Sequence, residues 1–353
     1  MTPSPTSSLF SRHSPVLQTS FSEIKRQAAE QPFVLVGTPG SVSVREVNGS
    51  RFYYRQFYDP QGKKRAEYLG PVKDAAAEER VLVLRDRISL AHALVKDARL
   101  LAQRGYARVD PRTNAILAAL ANHGLFRSGG TLVGSHAYGA LLNELGIRAA
   151  AFSTEDVDVA RNAPLDIAAL EGETADFARM LADSMIPLHP VPRLERSAPP
   201  TSYKPPGADR LRVDLLVPAR GREVTIRAVP ELNAHATALP HLAYLLDAPL
   251  DAAVLGRECI VSVRVPRPEL LAWHKMLVSQ LRGSTSDKKR KDIDQASVLF
   301  AVLAEDAPGA LADALAAVPR AARTQTRAGA QQVLRRLEGS VHERAFQLMK
   351  ELV

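Results

Sequence analysis

At 353 residues, 46% hydrophobic and 24% charged, the chain is long enough for two or three domains with cores of their own. Its one cysteine, Cys259, excludes a disulfide framework and an all-cysteine metal site within one chain, and suits a reducing cytoplasm. A net charge of +8 and a pI near 9.7 favour an anionic partner, nucleic acid first. No apolar run reaches the length of a membrane span, and no signal-peptide apolar core is visible, so a cytoplasmic protein without a membrane partner is expected.

Residues 1–20 are rich in Ser, Thr and Pro and read as a disordered tail. From residue 33 the pattern turns β-like. Residues 42–47 alternate, Asn48-Gly49 is a strong hairpin signal, and residues 51–58 and 65–69 follow as further strands around a turn at 59–63. Arg51, Arg55, Lys63, Lys64 and Arg65 are interleaved with Tyr53, Tyr54, Tyr58 and Tyr68. Such interleaving suits nucleic acid, since aromatics stack on bases and cations meet phosphates. It equally describes ordinary strand tyrosines beside solvated cations. Residues 72–104 carry a long apolar stripe at helical spacing, through Val81, Ile88, Leu94 and Leu101. Asp110-Pro111 then supplies an N-cap and a first-turn proline for a helix through residue 122.

The stretch 129–160 holds the chemistry. A short apolar strand at 131–133 ends in Gly134-Ser135, and a helix with Leu141, Leu142 and Leu145 on one side runs to Gly146. A strand at 155–160 then alternates Asp156, Val157, Asp158 and Val159. Alternation puts the two aspartates on one face, roughly 6.5–7 Å apart at Cα. That separation can bridge divalent ions lying about 3.5–4 Å apart. Glycine before a helix lets backbone N–H groups approach a phosphate where the helix terminus favours negative charge. Each half alone has a plainer reading, a capped turn and an exposed strand edge. The strand at 211–218 adds Asp214 opposite Leu211, Val213 and Leu215, an acid that is costly to bury unless it is paired or ligates a metal.

Further on, a helix is expected at 166–181 and a Pro-rich loop at 186–209, where Lys204 stands either over a phosphate or on a solvated connection. Strands follow at 224–229 and 259–265. The last third is helical, with Trp273-His274-Lys275 on a helix at 268–281 and a charged run from Asp287. Cations at a helix start oppose its dipole, which favours a functional reason for Lys288 and Lys291 over a merely solvated run. His274 reads as a packing or orienting residue.

Gly134-Ser135, the helix after it, Asp156-Val157-Asp158 and the later strand bearing Asp214 together resemble the DNA polymerase β nucleotidyltransferase superfamily. Thr154, two residues before Asp156, is similar to the minimal, AbiE-type toxin-like branch. Twenty residues lie between Ser135 and Asp156, more than the compact superfamily pattern has. The resemblance spans residues 110–300 and implies an α+β fold, with a polymerase β-like core of mixed sheet and flanking helices. With the rest of the chain it gives a tail (1–20), a β-meander module (21–71), a connecting helix (72–105), the nucleotidyltransferase core (106–265) and a helical C-terminal domain (266–353).

It further implies an enzyme that moves an NMP from an NTP to an acceptor hydroxyl and releases pyrophosphate, with Mg²⁺ or Mn²⁺ as cofactor. Asp156, Asp158 and Asp214 would be the metal ligands and catalytic acids, and Gly134 and Ser135 would bind phosphates. Lys275 matches a lysine that toxin-like relatives carry on the first helix of the helical domain. Lys288, Lys291 and Asp292 match a basic-acidic cluster opening the next helix, so Lys275 and Lys291 would face the nucleotide. RNA, possibly a tRNA end, is the expected acceptor. A protein side chain, a small molecule, or a catalytically silent nucleic-acid-binding role are the alternatives. Nothing in the sequence sets the NTP or the oligomeric state.

Overall fold

The structure is a computed structural model that describes residues 8–150, 154–166, 175–193, 198–282 and 287–353. In chain order, strand β1 (Phe10–Arg12) and helix α1 (Pro15–Ala29) precede a hairpin-linked trio, β2 (Ser41–Val47), β3 (Ser50–Tyr58) and β4 (Lys64–Pro71). Two helices follow, α2 (Ala75–Gln103) and α3 (Pro111–Asn122). Next come β5 (Thr131–Val133), α4 (Gly134–Glu144), β6 (Ile147–Ala149), β7 (Asp156–Ala160) and α5 (Phe177–Ala182). The strands β8 (His189–Pro190), β9 (Ser202–Lys204), β10 (Arg212–Pro218), β11 (Thr225–Val229) and β12 (Ala234–Leu239) complete the main sheet. A short helix α6 (Leu242–Leu245) leads to a separate hairpin, β13 (Leu250–Leu255) with β14 (Ile260–Val265). The chain continues through α7 (Pro268–Leu281), α8 (Asp287–Asp306), α9 (Pro308–Ala316), α10 (Arg323–Leu337) and α11 (Glu343–Leu352).

The fold is therefore α+β, with a mixed central sheet ordered β11-β12-β10-β7-β5. β10 runs parallel to β7 on one side, and on the other it pairs first with antiparallel β9 and then with parallel β12. β5 closes the edge antiparallel to β7. Val157, Val159, Val213 and Leu215 are buried from this sheet into the main core. α4 lies against β5, β7 and the β13–β14 hairpin, which makes its N-terminus a fixed point beside the sheet. α7, α8, α10 and α11 pack on one another as a helical group, and α4 touches α7.

The N-terminal segment differs from expectation. Residues 8–20, read as part of a disordered tail, contain β1 and the start of α1. β1 pairs antiparallel with β6, and α1 buries Phe21, Ile24 and Ala28. Pro15 at the first helical position and apolar residues at spacings of three and four outweigh the Ser/Thr-rich composition. Residues 1–7 lie outside the described residues, as does most of the first half of the helix expected at 166–181. The stretch after Gly146 supplies β6, and the Pro-rich segment, expected as a loop, supplies β8 and β9.

Below the meander, α2 begins at Asp74, whose side chain accepts from Ala77 N. Strand alternation sorts the residues of β3. Tyr53, Arg55 and Phe57 are buried, while Phe52, Tyr54, Gln56 and Tyr58 lie on the outer face. Arg55 donates to the carbonyls of Val36, Thr38 and Pro39 and lies over the Phe57 ring, and burial lowers its pKa. It is a structural arginine.

Candidate active site

Asp158 stands opposite Asp214 across the parallel β7–β10 pair, and opposite Val133 across β5. Adjacent strands lie about 4.8 Å apart, so the two carboxylates leave neighbouring points of one sheet face. Gly134, directly after Val133, has φ +71°, and a Cβ there would fall onto Asp158 Oδ2. Glycine is thus required both by the left-handed backbone and by the closeness of the carboxylate. From this turn α4 starts, so its unpaired N–H groups open beside Asp158.

Each acid has different partners. Asp156, at the open end of β7, has its backbone N–H bound by Thr154 Oγ1 at 3.3 Å, and its carboxylate takes the Lys288 ammonium at 3.1 Å. Asp214 accepts from Arg212 Nε at 2.9 Å and from Ser202 Oγ, while Arg212 also reaches Ser202 Oγ at 2.8 Å. Asp158 forms no ion pair among the described residues. Burial, then the Asp214 and Asp156 charges, push its carboxyl up to about 7, against a weaker pull from Lys275 and Lys288.

Lys275 and Lys291 are placed differently from each other. Lys275 is buried, and its Nζ donates to Asp292 Oδ1 at 2.8 Å, where Arg282 holds the other oxygen at 2.7 Å. It reaches the acids only through its field. Lys291 is half-buried, its pKa lowered by desolvation and by Lys275, and it senses the charge of Asp156. Ser135 Oγ meets Gln295 Nε2 at 3.5 Å, which ties the start of α4 to α8. Lys204, instead of sitting on a closing loop, is on β9 and points its ammonium to Gly207 O at 3.4 Å.

Three contributors escaped the sequence reading as site residues. Arg212 and Ser202 clamp Asp214; the i, i+2 spacing of Arg212 and Asp214 was a visible signal, whereas Ser202 is brought in by strand pairing alone. His136, in the first turn of α4, is buried with Nε2 unpaired among the described residues, and burial drives its pKa down to about 4. Its imidazole is therefore neutral at physiological pH. It lines a cleft of about 470 Å³ that runs along α4, with Ser135 and Thr154 at its edge and Arg108, Asp110 and Tyr138 among its walls.

These donors suit a hard, oxygen-seeking cation. Three carboxylates lie on one sheet face, and the middle one is held partly protonated by burial and then by the charge of its neighbours. Among the described residues no three of them close around a single point, because Asp156 and Asp214 are turned onto Lys288 and Arg212.

Residues 111–319 match the model of a family described as Nucleotidyltransferase. The chain belongs to that family. This nucleotidyltransferase is an NTP-dependent enzyme, and the matched span runs from α3 to beyond α9, taking in Asp156, Asp158, Asp214, Lys275, Lys288 and Lys291. No curated protein and no solved structure matches the chain. The meander and α2 precede the matched span, while α10 and α11 follow it.

Proposed function

We propose that this nucleotidyltransferase transfers an NMP from its NTP to a hydroxyl of an RNA acceptor. The observation that carries the site assignment is the Asp158–Asp214 cross-strand pair lying against the Gly134 turn. In this reading the N–H groups at Gly134 and Ser135 receive the triphosphate, since a helix N-terminus favours anions. Asp156, Asp158 and Asp214 would hold Mg²⁺ or Mn²⁺. Such an ion, when bound, neutralises phosphate charge and polarises the phosphoryl group.

The protein's own groups do the remainder. Asp214, steadied by Ser202 and Arg212, sits where it can orient the acceptor hydroxyl and take its proton. Lys288 moves from Asp156 to the phosphates, and Lys291 adds charge beside it. Lys275, locked on Asp292, contributes a fixed positive field. A polymerase β-like strand arrangement, kinship with the AbiE-type toxin-like branch, a division at residues 71, 105 and 265, and a cytoplasmic setting belong to the same reading. The basic balance of the chain supports RNA over an uncharged acceptor.

Incubation of the full chain with each labelled NTP, Mg²⁺ and total cellular RNA or lysate tests it. Label in RNA, lost in Asp158→Asn, is expected. Label in protein or in small molecules instead would overturn the acceptor, and transfer retained by Asp158→Asn would overturn the site.

A further inference from the structure

We infer that the outer face of the three-stranded sheet β2-β3-β4 is a stacking platform for single-stranded nucleic acid. The register places Arg45 beside Phe52, Ser43 beside Tyr54, Tyr68 beside Tyr54 and Lys64 beside Tyr58. Alternation carries Phe52, Tyr54, Tyr58, Tyr68, Arg45 and Lys64 to the side away from α2. The opposite side is spent on the interior, through Tyr53, Arg55, Phe57 and Leu69.

Three of the outer rings, Phe52, Tyr54 and Tyr68, form a contiguous group. Tyr54 and Tyr68 meet edge-on at 5.6 Å between centroids, and Phe52 and Tyr68 lie tilted at 5.9 Å. The Arg45 guanidinium sits 5.1 Å from the Tyr54 centroid. Tyr58 and Tyr68 are 53% and 56% exposed, far more than tyrosines that serve a core. A β-bulge between Tyr53 and Tyr54 shifts the pairing so that Tyr68 faces Tyr54.

Charge selects the occupant. The face carries the cations Arg45 and Lys64, whereas the strand acids Glu46 and Glu67 fall on the other side by alternation, opposite Arg51 and Arg55. Exposed rings of every kind accept a base face, and neighbouring cations take the phosphates between bases. A duplex keeps its bases stacked on each other and offers the rings nothing. Sheet faces with exposed aromatics are an established way of holding two or three unpaired bases.

This inference rests on the RNA acceptor proposed above but stands on separate residues, none in the site. The test is fluorescence anisotropy of the full chain with a labelled oligouridylate, a duplex of equal length, and a salt series. Tyr54→Ala with Tyr68→Ala should weaken the oligouridylate by about tenfold or more with an unchanged salt slope, by analogy with base-stacking losses. Tyr54→Phe with Tyr68→Phe should bind as the parent does, which controls for folding. Arg45→Gln with Lys64→Gln should flatten the salt slope by about one to two. Duplex should bind more weakly than oligouridylate and be indifferent to the aromatic changes. Equal loss in the Ala and Phe variants, or no loss in either, overturns the platform. RNA labelling that persists in the Ala variant leaves the active-site reading intact, and intact stacking without RNA labelling condemns only the acceptor assignment.

Discussion

Asp158 bears most of the electrostatic strain of the site. Its carboxyl titrates at about 7 in the folded protein but near 4 in an unfolded chain. Across that window the folded state binds the proton and the unfolded state does not, so this residue makes stability fall as pH rises, and the loss is complete above pH 7. Without divalent ions, Asp158→Asn should therefore be more stable than the parent at pH 8, by on the order of 2–3 kcal/mol allowing for partial access to water. The gap should close toward pH 4. His136 and His274, both held neutral by burial, act with the opposite sign, but parent and variant share them. Thermal melts of both proteins at matched pH values give the check, and a gap independent of pH would refute the burial of charge at Asp158.

Between α7 and α8, Lys275 and Asp292 form a buried pair, which the exposed Arg282 closes from the solvent side. Removing one partner of a buried pair costs about 3–5 kcal/mol when nothing replaces it. Arg282 remains on Asp292, so Lys275→Gln should lower stability by about 2–3 kcal/mol. Asp292→Asn strands Lys275 alone and should cost more. A double-mutant cycle by urea unfolding should show clear non-additivity, since the two residues touch. Additive losses would mean that the pair is not formed. Lys275→Gln should also lower turnover in transfer assays without raising the acceptor KM.

The helices bearing these residues were legible in the sequence, α7 to its bounds and the meander, α2 and α3 to within a few residues. So was the placement of Gly134 at a turn before a helix and of Asp156, Asp158 and Asp214 on strands, because alternation in a strand and a glycine before a helix are local patterns. What could not be read was anything decided by pairing at a distance. Ser202 reaches Asp214 through the β9–β10 register, Lys275 turns inward because Asp292 lies one turn into the next helix, and the three carbonyls that satisfy the buried Arg55 come from the segment before β2. β1 was lost for the same reason, since a three-residue strand has no pattern until its partner is known.

For the whole molecule, the first described residues act as a clasp. Phe10 pairs with Ala149 in β6 and stacks on His342, Leu9 N donates to His342 Nε2 at 3.0 Å, and Arg12 is bound by Glu305 and Asp306. His13 N also reaches Gly146 O at 2.8 Å. One short segment thus joins the α4–β6 turn to α8 and the start of α11. Phe10→Ala should lower stability by about 3 kcal/mol, as truncation of a buried aromatic does. The urea midpoint should fall with no change in slope, and a slope that also drops would point instead to a domain coming loose.

Leu9 and Arg12 meet partners that lie 333 and 294 residues further along the chain. At about 5–20 residues per second, a ribosome needs on the order of half a minute to deliver those partners after the segment emerges. The α1 stripe finds its cover earlier, in α2 and the β13–β14 hairpin, so the contacts of Leu9 and Arg12 are the ones that close last.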